Sequence, residues 1–421
     1  MNDALPPHRR SGFLRRLGPG LVTGAADDDP SGIATYSQAG AQFGYSLGWT
    51  LLLSYPLMAA IQMISARIGC VTGVGIAQNI RQHYAPWLLY GVVGLLLVAN
   101  VINLAADLGA MGAAVRLMIG GSQHLYTACV ALICVLLEIF VSYRRYAKVL
   151  KWATLSLFAY VGVVFAAHVD MGSALYGTLV PVLVFDAPHA LALVALLGTT
   201  ISPYLFFWQA GQETEELRRR RVVPLSRNGS AAAQELARIR TDTLIGMGLS
   251  NAIALCILIA TAATLHAHGI MDIQTSAQAA EALRPVAGEF AFALFALGIL
   301  GTGMLAVPVL AGSAAYAVSE VYRWKSGLSR RPGDAKAFYA TIAVGTLGGV
   351  CLNFTSLDPI RALFWSAVVN GVLAAPLMVV VMMIATNRRI MGPLTLGRTL
   401  IVGGWLATFA MALSATAMMF G

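Results

Sequence analysis

Eleven apolar stretches, each about as long as a bilayer is thick, follow one another along this chain, at about 19–43, 45–69, 86–115, 124–142, 147–168, 188–214, 241–265, 287–322, 337–353, 359–386 and 397–420. A helix needs roughly 20 apolar residues to cross the hydrocarbon core. In lipid every backbone polar group must find a partner within the segment or in a closed barrel. Continuous apolar runs, rather than alternating ones, select helices. Charged residues are only 11% of the chain and hydrophobic ones 58%, where soluble domains carry about a quarter charged. This composition excludes a soluble enzyme, a disordered tail and a disulfide-stapled secreted domain. The five cysteines are scattered through apolar segments without a CxxC pair and read as reduced packing residues. Residues 1–18 are polar and basic, with no signal-peptide pattern.

The placement of charge tests the count. With the N-terminus inside, 25 of the 28 Lys and Arg fall on the inner side, and only Arg116, Arg284 and Arg361 do not. Cytoplasmic loops attract Lys and Arg. The expected topology is a multi-pass cell-membrane protein with a cytoplasmic N-terminus and an outer C-terminus. The net charge of +9 is then a topology signal. The run Arg218–Arg221 reads as a cytoplasmic anchor, with no nucleic-acid partner expected.

Two of the segments are interrupted. The first carries Asp27-Asp28-Asp29-Pro30-Ser31-Gly32 and the sixth Thr199-Thr200-Ile201-Ser202-Pro203-Tyr204. Proline removes a helical hydrogen bond and disfavours helix at the residue before it. Breaks five segments apart fit an inverted repeat, in which two discontinuous helices meet at mid-membrane and form the substrate site. The expected organisation is a cytoplasmic tail 1–18, a first repeat 19–168 (helices 1–5), a second repeat 188–386 (helices 6–10) and an additional helix 397–420.

A carboxylate inside the bilayer is costly and needs a partner, a wet cavity or an ion. Asp29 immediately precedes the first break, where unwound backbone turns its side chain inward. Successive helical residues rotate by about 100°, so Asp27 and Asp28 cannot share its direction; one of them is expected to cap or to face the pathway. Neither broken segment carries Lys or Arg at its middle. A cation from solution is therefore the simplest partner.

Several stretches add a resemblance. Gly18-Pro19-Gly20, Asp29-Pro30, Gln38-Ala39-Gly40-Ala41-Gln42-Phe43-Gly44-Tyr45, Ala66-Arg67-Ile68-Gly69 and Val71-Thr72-Gly73 resemble the NRAMP family of divalent metal transporters. The likeness is specific through the first three segments and looser beyond, where it includes Asn251. It implies an all-α LeuT-type fold of eleven or twelve spans, with helices 1 and 6 broken. It also implies a metal site built from an Asp-Pro-Gly-Asn motif on the first and a Met-Pro-His motif on the sixth.

This chain departs from that pattern. Asp29 and Pro30 match, but Ser31 and Gly32 replace Gly and Asn. Ser202, Pro203 and Tyr204 stand at the Met-Pro-His positions, and Gln209 replaces a second histidine. On the third segment Asp107 matches one member of an acidic pair, and Ala110 replaces the other. The remaining donors are the Asp29 carboxylate, the hydroxyls of Ser202, Thr199 and Tyr204, and freed carbonyl oxygens. An all-oxygen set suits hard cations such as Mg²⁺ or Mn²⁺. All seven histidines lie in tails, loops or segment ends. The pattern is similar to the NRAMP-related magnesium transporters, which implies weak or absent proton coupling. Asp28, Asp107, Gln209 and Asn370 are expected in the pathway or behind the site.

The expectation is thus a secondary transporter of a hard divalent cation, the metal being cargo and no cofactor being needed. The bilayer and the cation are its partners, and no protein partner is evident. The alternative is a small organic solute on the same scaffold: Gly32 and Ser202 make room, and Tyr204, Phe207 and Trp208 offer aromatic contact. A receptor ranks last, and no nucleophile motif, phosphate loop or HExxH spacing points to an enzyme. Gln212, Glu213, Glu215 and Glu216 either line an exit path or neutralise the Arg218–Arg221 run.

Overall fold

In the computed structural model, residues 19–141, 154–184, 186–220, 222–226, 232–354 and 358–420 are described. The tail 1–18 with its four arginines lies outside them, as do Arg144, Arg145, Lys148, Lys151, Arg221 and Arg227.

The described helices of eight residues or more are α1 (Pro19–Asp27), α2 (Pro30–Phe43), α3 (Gly48–Thr72), α4 (Ile76–His83), α5 (Pro86–Ile119), α6 (Gln123–Phe140), α7 (Phe158–Ala166), α8 (Met171–Leu179), α9 (Ala187–Thr200), α10 (Pro203–Arg220), α11 (Ala232–Thr264), α12 (Ala291–Tyr322), α13 (Lys336–Leu352), α14 (Pro359–Thr386) and α15 (Arg398–Phe420). Eight of the eleven expected segments are helices, or a joined pair, long and apolar enough to cross a bilayer. The other three are special cases. The first is split into α1 and α2, and the ninth is the shorter apolar helix α13. The fifth begins outside the described residues and ends in α7, which meets α8 at a 120° bend. Helix α8 lies in a stretch that the segment count treated as a connection. Asp170 starts it: its carboxylate accepts hydrogen bonds from the amides of Gly172 and Ser173, at 3.0 and 3.2 Å, as an N-cap does.

The split segments sit at the centre. Helix α11 packs along both α1 and α2, α9 packs on α14, and α12 packs on α5. Between apolar helices in lipid, association depends on close packing of small residues. At Gly24 of α1, a Cβ would lie 2.3 Å from the Gly246 carbonyl oxygen of α11; at Gly198 of α9, one would lie 2.4 Å from the Gly371 nitrogen of α14. Glycine is required at both crossings. Within the stretch Gly298–Gly312 of α12, Gly303 leaves the space into which Pro30 and Met111 pack.

Candidate cation site

Helix α1 stops at Asp27 and α2 starts at Pro30, so only Asp28 and Asp29 are unwound. Proline forces the preceding residue into an extended conformation, and Asp29 has φ −71° and ψ 171°. There it caps α2. Its Oδ1 accepts from the Gly32 amide at 2.8 Å and from the Ser31 hydroxyl at 2.7 Å. The second break leaves Ile201 and Ser202 between α9 and α10. Helix α10 then brings Tyr204 across, and its hydroxyl donates to Asp29 Oδ2 at 3.0 Å and lies 3.3 Å from the Ala26 carbonyl oxygen. The two broken segments therefore meet through one carboxylate and one phenol, each 1% exposed.

The other expected residues divide. The Ser202 hydroxyl turns back onto the end of α9, sharing its proton between the freed carbonyls of Gly198 and Thr199, both at 2.9 Å. Thr199 points the other way: its Oγ1 would lie 3.2 Å from a Cβ at Gly32 and faces the Tyr36 hydroxyl of α2. Asp28 shares the Ser250 hydroxyl of α11 with Asp27, at 2.9 Å each. Asp107, fully buried on α5, faces Asp29 and the Ser31 backbone. Gln209 is not at the break. It accepts from Thr23 of α1 at 2.5 Å and reaches Glu213 at 3.4 Å. Asn370 is also set apart, accepting from Asn103 at 2.8 Å, one turn along α5 from Asp107.

Four buried carboxylates thus surround the first break, and among the described residues no Lys, Arg or His forms a salt bridge with any of them. Asp29 is nevertheless not bare, because three donors hold it. Also among the described residues, no three His, Cys, Asp or Glu side chains converge on one point. A cation here would meet few carboxylates and several neutral oxygens. Asp29 Oδ2, the Tyr204 hydroxyl and the Ala26 carbonyl form such a cluster, which is chemistry for a hard ion.

The acidic end of α10 is settled by pairing. Glu213 pairs with Arg238 of α11 rather than with the arginine run, Arg238 also meets Glu235 at 2.9 Å, and Glu235 meets Arg220 at 2.7 Å. Glu216 pairs with Arg219, and Glu215 accepts from the Tyr316 hydroxyl at 2.5 Å. Nearby, the Asp242 carboxylate accepts from the Gly20 amide at 2.7 Å, at the positive end of the α1 dipole. Phe206, Phe207 and Trp208 are buried in the core. On the other side of the break lies a cavity of about 470 Å³, lined by Ala34, Gln38, Gln42, Trp365 and the facing pair Asp272 and Arg361, 3.6 Å apart.

Two residues beside the break belong to no motif in the sequence: Ser250, which meets Asp27 and Asp28, and Tyr36, whose hydroxyl faces Thr199. Asn251, singled out by resemblance, instead ties α11 to α3, donating to the Leu51 carbonyl at 2.9 Å. Its neighbour Ser250 faces the break. A polar pair in an apolar run was the available signal, and the helical phase decided which member pointed inward.

Comparison with known proteins agrees with this architecture. The family model for natural resistance-associated macrophage protein-like proteins, Nramp, matches residues 20–421. The chain is 26% identical over 406 residues to the divalent metal cation transporter MntH of Klebsiella pneumoniae (strain 342), spanning 93% of this chain and 91% of that one. It is 27% identical over 410 residues to MntH of Deinococcus radiodurans, spanning 94% and 87%. Among solved structures, a variant of the Eremococcus coleocola manganese transporter superposes with TM-score 0.77 at 19% identity, covering 97% of this chain and 87% of that one. Mhp1, a nucleobase-cation-symport-1 family transporter, superposes with TM-score 0.59 at 14% identity, covering 96% and 92%. At these identities the two structures establish the fold, which is LeuT-type.

Proposed function

The chain belongs to the Nramp family of membrane transporters, and from that premise we propose that it carries a hard divalent cation, Mn²⁺ or Mg²⁺, by alternating access, with weak or absent proton coupling. The carrying observation is the meeting of Asp29 Oδ2, the Tyr204 hydroxyl and the Ala26 carbonyl at the two breaks. The Ser31 and Gly32 donors occupy Oδ1, and Oδ2, which accepts from Tyr204, keeps a lone pair for the ion. The Tyr204 oxygen donates its proton to Asp29 and keeps lone pairs for the cation. Thr199 adds an oxygen from the α9 side, and Ser202 holds the α9 end in shape. The MntH relatives are divalent metal cation transporters, which supports the cargo class. The oxygen donors support Mg²⁺ beside Mn²⁺.

Access follows from the two sides. The 470 Å³ cavity reaches Ala34, one turn beyond Pro30, and with the N-terminus cytoplasmic it is the outer vestibule. The opposite side is closed by the Gly20–Asp242 and Thr23–Gln209 hydrogen bonds and the Glu213–Arg238 pair. Inward opening would require α1 to leave α11 and α10, breaking the first two contacts. Purified protein in liposomes should take up Mn²⁺, and Asp29→Asn should take up none. Uptake by Asp29→Asn at the wild-type rate would reject the reading.

A further inference from the structure

We propose that the junction of α4 with the end of α12 binds the phosphate of an anionic phospholipid, held by Arg81 and Arg323 with Arg218 beside them. The site rests on the membrane-spanning fold and is independent of the cation reading above.

Two charged side chains at this junction cap each other's helices. The Glu320 carboxylate of α12 turns onto the start of α4. There it accepts from the Gln78 amide at 3.0 Å and fills the space that a Cβ at Gly75 would need. The Arg81 guanidinium of α4 turns onto the end of α12, donating through one nitrogen to the Glu320 and Val321 carbonyl oxygens at 2.8 and 3.3 Å. Each charge meets the opposite pole of a helix. Among the described residues the two form no salt bridge with each other.

The positive charge left over is what calls for a ligand. Arg323 faces Arg81 as a like charge, and Arg218 of α10 faces Glu320. Three guanidiniums thus gather around a single carboxylate that backbone amides already hold. Among the described residues none of the three is in a salt bridge. A guanidinium carries five N–H donors, and Arg81 spends one nitrogen on the α12 carbonyls. Arg218 and Arg323 are exposed. One phosphate group accepts from several such donors at once and offsets the repulsion between them.

The surroundings select a lipid over a free anion. Arg323 ends α12 in the left-handed region, at φ 60°, and the Trp324 amide donates to the Ser319 carbonyl at 2.8 Å. The flanking Tyr322 and Trp324 rings stack with centroids 4.9 Å apart and are 57% and 42% exposed. Helix α4 packs on α12 and also on α5, where Trp87 and Tyr90 are exposed too. Exposed Trp and Tyr at the ends of spanning helices mark the headgroup level of a bilayer, where basic groups meet anionic lipid.

The test titrates phosphatidylglycerol into the purified full-length chain in phosphatidylcholine–detergent micelles and reads the unfolding temperature. Wild type should gain stability from phosphatidylglycerol and none from the same amount of added phosphatidylcholine. Arg323→Gln should need about 5-fold more phosphatidylglycerol for the half-maximal gain, and Arg323→Gln combined with Arg81→Gln about 30-fold more, the worth of one and two basic groups at a lipid surface. Arg81 also holds the end of α12, so Arg323→Gln combined with Arg218→Gln carries the same expectation if the first pair folds poorly. Arg331→Gln combined with Lys336→Gln removes as much charge from exposed positions in the connection to α13 and should leave the titration unchanged. Equal gains from the two lipids, or an equal loss in the Arg331 and Lys336 variant, would overturn the proposal. So would a full gain from inorganic phosphate without lipid, which would mark a site for a free anion.

Discussion

Tyr204→Phe removes one oxygen from the place where the two broken helices meet, and its cost can be worked from the contacts. The hydroxyl donates to Asp29 Oδ2 at 3.0 Å, while Oδ1 keeps Ser31 and Gly32. A hydrogen bond to a charged group contributes about 1.5–3 kcal/mol, so the metal-free protein should lose stability of that order. The same oxygen serves the ion, and removing a group that supports a metal ligand typically weakens binding about 10–100-fold, or about 1.4–2.8 kcal/mol. The stability deficit should therefore grow, not shrink, when Mn²⁺ is added. Calorimetric titration and thermal unfolding in detergent, each with and without Mn²⁺, measure both quantities. Ser202→Ala is the control: its hydroxyl shares its proton between Gly198 and Thr199 at the end of α9, so affinity should stay within about 3-fold, well under the loss of a supporting group. Unchanged Mn²⁺ affinity in Tyr204→Phe, or a deficit that vanishes with Mn²⁺, would refute the reasoning.

Arg238→Met strands Glu213, which is fully buried, and should cost about 3–5 kcal/mol; adding Glu213→Gln should restore most of it, read as recovery of the unfolding temperature. Gly24→Ala drives a Cβ to 2.3 Å from a backbone oxygen of α11 and should destabilise by about 1–3 kcal/mol, with Mn²⁺ uptake falling in parallel; a neutral substitution would show that α1 does not cross α11 there. Imposing a proton gradient on liposomes should leave Mn²⁺ uptake nearly unchanged, and strong acceleration would refute the weak coupling. A thermal-shift screen should show stabilisation by Mn²⁺ or Mg²⁺ and none by small organic acids or amines, and the opposite ranking would favour the organic solute.

The breaks were legible because proline acts locally. Pro30 and Pro203 fix where α2 and α10 start whatever surrounds them, and Asp29 before Pro30 reads directly as a cap. Partner choice was not legible, because it depends on which face a helix turns inward. Ser250 and Asn251 are adjacent, yet one meets Asp27 and Asp28 while the other meets Leu51. Glu213 lies beside four arginines in sequence and pairs with Arg238 of another helix. Asn370 looked like a site residue by depth alone and bonds Asn103 instead. Ser202 stands at a ligand position by register, and the sequence did not show that its proton goes to carbonyls freed by its own break. Apolar length found most of the spanning helices and missed α8, whose start is set by the Asp170 cap rather than by hydrophobicity.

The most direct measurement is a crystal structure of the protein soaked in Mn²⁺, with anomalous scattering used to locate the ion. The expected result is a peak in direct coordination with Asp29 Oδ2, bordered by the Tyr204 hydroxyl and the Ala26 carbonyl oxygen. Saturating Mn²⁺ with no peak at Asp29, or with peaks only in the vestibule near Asp272, would contradict the assignment of these two breaks as the place where the cation is held.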